Sequence, residues 1–197
     1  MRRASKRFWL LVSVVAAVAA LAMQVGSHAG RKGRVNELTL AGLRPGHDAI
    51  TTPAKEFREL TLDAAVTDAY VWGDVCTHRE LRVEADASSG GVVETVSVGL
   101  KYKPEIMAKC AASVLDPKRL GRIASGHGLQ LGDACGRIEE MYGKAESRSP
   151  SVAGSDKLEL YLYKFDWAGT DVPQVMEVSC DASSQTVAEI TLAAATL

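Results

Sequence analysis

Residues 176–192, Met-Glu-Val-Ser-Cys-Asp-Ala-Ser-Ser-Gln-Thr-Val-Ala-Glu-Ile-Thr-Leu, restate residues 81–98, Leu-Arg-Val-Glu-Ala-Asp-Ala-Ser-Ser-Gly-Gly-Val-Val-Glu-Thr-Val-Ser-Val, with one residue fewer in the turn. Asp86-Ala87-Ser88-Ser89 and Asp181-Ala182-Ser183-Ser184 agree letter for letter, while the flanking positions keep only their polarity. Alternating apolar and polar residues on both sides of an Asp-Ser cluster predict two strands joined by a hairpin. Two such hairpins in one chain predict a duplicated unit.

Working outward from the second hairpin, Leu131-Gly132-Asp133 opens an apolar stripe, Cys135, Ile138, Met141 and Tyr142, that stops at Gly143. That spacing predicts a helix with Asp133 as its N-cap and glycine past its end. Ser147-Arg148-Ser149-Pro150-Ser151 through Gly154 reads as a loop, followed by strands at 158–165, 175–180 and 187–192. In the first copy Thr52-Pro53 opens a helix to about Leu60, with strands at 69–72, 80–84 and 92–100. Glu105 to Val114 carries helical spacing between the copies. The expected fold class is therefore α+β: two tandem copies of a helix-plus-three-stranded antiparallel sheet unit, residues 35–102 and 128–197, joined by a helical linker over 103–127. The copies are expected to superpose with Leu43 on Leu129, Gly46 on Gly132, Tyr70 on Tyr163 and Asp86 on Asp181.

Arg2, Arg3, Lys6 and Arg7 precede an uncharged stretch from Phe8 to Val25. A basic region, an apolar region and small residues at Ser27-His28-Ala29 predict a secretory signal over residues 1–29, with an uncleaved membrane anchor as the alternative. Export then places the chain in the periplasm or outside the cell, or anchored to the inner membrane and facing outward. The whole chain has 23 Lys+Arg against 24 Asp+Glu, and loss of the four basic residues in 1–29 leaves 19 against 24. A mildly acidic chain without Lys/Arg runs after Gly33 is not built to release counterions from nucleic acid.

Cys76, Cys110, Cys135 and Cys180 all lie in the exported part, and an even count there predicts two disulfides. Cys135 sits on the helix stripe and Cys180 shares a strand face with Met176 and Val178, so Cys135–Cys180 is the expected pair, leaving Cys76–Cys110. No Cys-x-x-Cys spacing marks a zinc or redox site, and Cys76-Thr77-His78 offers too few ligands. Ser125-Gly126-His127-Gly128 places a serine near a histidine without a nucleophile-elbow pattern, so no catalytic, cofactor or metal residues are assigned. Asp86 and Asp181 read as turn residues.

Alternation puts Leu158, Leu160 and Leu162 on one face of a strand and Tyr161, Tyr163, Phe165 and then Trp167 on the other, with Tyr70 and Trp72 sharing a face in the first copy. Two assignments stay open. Tyr70, Trp72, Tyr161, Tyr163, Phe165 and Trp167 form a partner-binding surface, or the rings fill the core and the leucines pack between the two units.

Leu131-Gly132-Asp133, Ile138, Tyr142-Gly143, Tyr161, Tyr163, Met176, Val178 and the Asp181 hairpin resemble the small outer-membrane assembly lipoprotein family (SmpA/OmlA, BamE-like), and two such units in tandem resemble the β-lactamase inhibitor protein family. The resemblance implies an exported, non-enzymatic module of the cell envelope or secreted space that binds another protein. An inhibitor of a secreted enzyme and a small secreted hydrolase are the alternatives. The chain departs from the pattern at Ala145, where the lipoprotein family places proline, and in having no lipid-bearing cysteine near residue 29.

Overall fold

Eight strands and a short helix are seen in the computed structural model, which describes residues 35–52, 61–62, 69–74, 78–86, 91–100, 123–153, 156–165 and 173–195. They are β1 (Thr61–Leu62), β2 (Ala69–Asp74), β3 (Arg79–Asp86), β4 (Val92–Gly99), α1 (Gly136–Tyr142), β5 (Ser147–Ala153), β6 (Asp156–Phe165), β7 (Gln174–Asp181) and β8 (Thr186–Ala194). The two repeated hairpins are β3–β4 and β7–β8. Asp181 Oδ1 accepts the backbone N–H groups of Ser183 at 2.7 Å and Ser184 at 2.8 Å, the local cap that makes this sequence turn.

All strands pair antiparallel in one sheet of order β1-β2-β3-β4-β8-β7-β6-β5. This overturns the expected α+β fold of two helix-plus-three-stranded units. Each hairpin has a free outer edge, and an unpaired edge must be covered or paired; here β4 and β8 pair with each other, fusing the two copies of the hairpin into a continuous sheet. Of the expected helices, α1 is the described one, while those over 53–60 and 105–114 lie outside the described residues, as do residues 1–29. The end of the expected linker helix is a turn at 125–128, closed by Gly128 N–H donating to Ser125 O at 2.9 Å. The segment read as a loop at 147–153 is β5, an outer strand of the sheet.

Partners across the β4–β8 seam are Val96 with Leu192, Ser97 with Thr191 and Val98 with Ile190. The repeat alignment matches Val96 to Ile190, Ser97 to Thr191 and Val98 to Leu192, so the pairs are reciprocal about Ser97 and Thr191, whose hydroxyls lie 3.0 Å apart. A second reciprocal set stands at Leu40 and Ser125: Ala41 N–H donates to Ala124 O and Gly126 N–H to Thr39 O, both at 2.9 Å. The halves also bulge alike, between Glu84 and Ala85 and between Ser179 and Cys180.

Ahead of each first strand the chain turns in the same way. Gly46 N–H donates to Val93 O and Gly132 N–H to Val187 O, at 2.6 and 2.8 Å, from backbones at φ 76° and 88° that favour glycine. Asp48 and Asp133 each accept a backbone N–H, of Arg44 at 2.8 Å and Gln130 at 2.9 Å. Asp133 thus caps the preceding turn and not the helix, which starts after Cys135 without a side-chain cap and ends at Gly143, φ 75°. In register Tyr70 opposes Val83 as Tyr161 opposes Val178, and Trp72 opposes Leu81 as Tyr163 opposes Met176. The counterpart of Tyr70 is therefore Tyr161, two residues from the expected Tyr163.

The core occupies one face of the sheet. Leu81, Val83, Val96, Val98, Met176, Val178, Ile190 and Leu192 form its floor, and Leu40, Leu43, Leu129, Ile138 and Tyr142 pack over them.

Candidate functional site

Four of the six aromatic residues singled out for partner binding lie in this core. Trp72 is 3% exposed, Tyr161 4%, Tyr163 0% and Phe165 2%; Tyr70 is half-buried and Trp167 lies outside the described residues. Tyr163 stacks on Phe165 with ring centroids 6.1 Å apart, tilts against Tyr142 at 5.7 Å, and donates its hydroxyl to Gly143 O at 3.0 Å. Burial of that extent removes Trp72, Tyr161, Tyr163 and Phe165 from any binding surface: these rings fill the core, while Leu158, Leu160 and Leu162, expected in that case to pack between two units, stand part-exposed on the other face of one continuous sheet. The reason is local: α1 packs on that face of the sheet, and rings with a polar tip fill the depth beneath a helix while keeping a hydrogen bond.

The structure brings together four polar residues that sequence distance hides. Glu37 is 1% exposed, and its Oε1 accepts the backbone N–H groups of Leu38 at 2.9 Å and Thr39 at 3.1 Å. Its Oε2 accepts the Tyr142 hydroxyl at 2.7 Å and the His127 backbone N–H at 3.1 Å, and lies 3.0 Å from His127 Nδ1. Burial pushes the Glu37 carboxyl up, but the Thr39 N–H, the Tyr142 hydroxyl and the His127 ring and backbone outweigh it and hold it below the ordinary carboxylate value. Tyr142 is pushed up by burial and by the neighbouring Glu37 charge. Gly126 is needed here, because a Cβ would stand 2.5 Å from Thr39 Oγ1 and 2.6 Å from Glu37 Oε1.

This cluster contains the Ser125 and His127 noted in the sequence, yet it is not a nucleophile with its base. Ser125 Oγ lies 2.6 Å from Tyr142 Oη and accepts Leu129 N–H at 3.0 Å, while His127 turns Nδ1 to Glu37. The serine is 5% exposed and its hydrogen bonds go to structural partners. Periodicity could not have found Glu37, which stands at the start of the first copy, outside any stretch read as a helix or strand. Among the described residues no group of three or more His, Cys, Asp or Glu could hold a metal ion.

Cys135 and Cys180 form a disulfide that ties the start of α1 to β7; Cys76 and Cys110 lie outside the described residues. At the sheet rim Arg148 reaches from β5 to Glu159, with Nη2 at 2.9 Å from both carboxylate oxygens, and its guanidinium lies 4.5 Å from the Tyr161 ring centroid.

Opposite the core, the pairing register sets out rows of side chains on the open face of the sheet. One row runs Val71, Arg82, Ser97, Thr191, Glu177 and Leu162. Leu158, Leu160 and Leu162 stand along β6 on this face, each part-exposed, and Val175 of β7 is beside them. No family model, curated protein or solved structure matches this chain. The open face and the Glu37 cluster are thus read from their own chemistry.

Proposed function

We propose that the chain is an exported, non-catalytic module, built by duplication of one hairpin unit, that binds another protein of the envelope or extracellular space against the open face of its sheet. The observation that carries this is β6. A strand with one solvated face alternates apolar and polar residues, but β6 is apolar on both: Tyr161, Tyr163 and Phe165 point into the core while Leu158, Leu160 and Leu162 stand on the open side. Three leucines in line on an open sheet face are the kind of apolar patch that marks a protein contact. The reciprocal seam and the matched bulges support the duplication, and the Cys135–Cys180 bond fits an oxidising compartment. Among the described residues no helix is long and apolar enough to cross a membrane.

The test is affinity capture from envelope extract with the full chain as bait, identifying the captured protein by mass spectrometry. Leu160→Lys and Leu162→Lys are expected to abolish its capture while the thermal midpoint stays within a few degrees. Undiminished capture by both variants would remove the open face from the reading.

A further inference from the structure

We infer that the occupant of the open face is a cationic amphipathic helix of the partner protein, laid along β6 with apolar side chains on Leu158, Leu160 and Leu162 and Lys or Arg beside Glu177 and Asp181. This rests on the open-face reading and names the chemistry of the partner. The register carries it. On one side of the leucines, β5 sets Ser151 opposite Leu158, Ser149 opposite Leu160 and Ser147 opposite Leu162. On the other side, β7 sets Asp181, Ser179 and Glu177 opposite the same three. An apolar ridge therefore runs between a row of hydroxyls and a row with a carboxylate at each end. Directly opposed side chains are nearest neighbours on a sheet face, so a group lying on the ridge is also beside these carboxylates.

Glu177 is exposed, and among the described residues its carboxylate has no hydrogen-bond or ion-pair partner. Asp181 turns one oxygen to the Ser183 and Ser184 N–H groups, which hold its carboxyl below the ordinary value and so keep it charged. Further across the sheet, Glu189 and Glu80 stand on the same face on either side of Gly99. Among the described residues of β3, β6, β7 and β8, the bases on this face are two. Arg82 lies with Nε 2.7 Å from Glu84 Oε1, and Lys164 stands opposite Val175, beyond the end of the ridge. An apolar ridge with excess negative charge beside it takes a partner that is apolar and positive. Anionic lipid, nucleic acid and the same face of a second copy all bring the wrong charge. The helical form follows from the backbone. A sheet face, unlike an edge, offers no N–H or C=O, so an extended segment on the leucines would bury its backbone groups unpaired, whereas a helix pairs its own. Alternate residues of a strand stand about 6.6 Å apart, close to the roughly 6 Å rise from i to i+4 in a helix. Apolar residues at i, i+4 and i+8 thus fit the three leucines.

The experiment titrates the full chain against a fluorescein-labelled helical peptide of about 18 residues, read by fluorescence anisotropy. The peptide carries leucine at i, i+4 and i+8 with lysine on both flanks, and a second version has glutamate for lysine. The lysine peptide is expected to bind at least about tenfold tighter than the glutamate peptide, an advantage that shrinks as salt is raised. Glu177→Lys should reverse the preference and Glu177→Gln should reduce it. Leu160→Ser removes apolar area without changing charge, and should weaken both peptides by about tenfold at the same preference. Equal affinity for the two peptides, a preference untouched by Glu177→Lys, or no binding of the lysine peptide at about 1 mM overturns the inference. So does self-association of the chain that Leu160→Ser abolishes, or sedimentation with phosphatidylglycerol vesicles that the same variant abolishes. The open-face reading is judged apart from this: capture lost in Leu160→Lys, together with equal affinity for the two peptides, leaves that reading standing and removes the cationic helix.

Discussion

In the second half of the sheet Cys135 N–H donates to Gln185 O at 3.0 Å and its sulfur is bonded to Cys180. In the first half Ile50 N–H donates to Gly91 O at 2.7 Å, and the position that matches Cys180 after the bulge is Ala85. Ile50 packs against the core cluster, and a Cβ on Gly91 would stand 3.2 Å from its Cγ2. One backbone arrangement is thus fastened covalently on one side and by a branched aliphatic side chain over small residues on the other. The difference teaches that the turn before each half asks for apolar burial, and that the disulfide is a constraint added to a geometry that forms without it.

The largest effects should come from the matched rings. Trp72→Ala and Tyr163→Ala each remove a buried aromatic from equivalent register positions, and each is expected to cost about 3–5 kcal/mol in urea unfolding. A Trp72 variant that loses less than a third of what the Tyr163 variant loses would show that the two halves share a backbone but not a common core. Next comes the staple. Its sequence separation is 45 residues, and transplanting the first-half solution as Cys135→Ile with Cys180→Ala should lower stability by about 3–4 kcal/mol through the unfolded chain. The converse, Ile50→Cys with Ala85→Cys, should form a bond detectable by peptide mapping; free thiols there after oxidation would mean that the two turns are not equivalent.

Smaller again is Glu37→Ala, expected to cost about 2–3 kcal/mol because Tyr142 and the His127 backbone lose their acceptor. The native carboxyl lies below its ordinary value of 4.5, so its ionised form stabilises the fold above that value. The contribution disappears as pH falls from there through the native value. Stability measured from pH 6 downward should therefore fall more steeply in the native chain than in Glu37→Gln; parallel curves would remove the cluster from the acid response. The smallest change is Arg148→Ala, which should cost less than about 1 kcal/mol. Arg148 is 45% exposed, and solvent screens its pair with Glu159.

The hairpins, α1 and the Cys135–Cys180 bond were legible in the sequence because each is written in local pattern: an Asp-Ser-Ser turn, an apolar stripe that stops at glycine, a cysteine on the helix stripe and another on the matching strand face. What joins them was not. Nothing local in Val96-Ser97-Val98 says that its outer edge meets Ile190-Thr191-Leu192, since strand-to-strand choice depends on which edge is left bare once the hairpins form. The ring-bearing face of β6 was a balanced question in the sequence because Tyr161 and Tyr163 suit a surface or a core, and the packing of α1 decided it. Glu37 was invisible because a lone glutamate becomes a buried acceptor only when residues 90 and 105 positions away deliver donors to it.

Pro150 gives the rim of β5 a meaning of its own. Ala153 pairs with Asp156, and Ala182 N–H donates to Lys157 O, so alternation turns the backbone groups of Ser147, Ser149 and Ser151 toward β6 and those of Arg148, Pro150 and Val152 outward. The middle outward residue has no N–H to offer. A chain whose inner edges are self-complementary carries the template for fibril growth, in which sheet adds to sheet without end, and at this rim the missing donor terminates propagation.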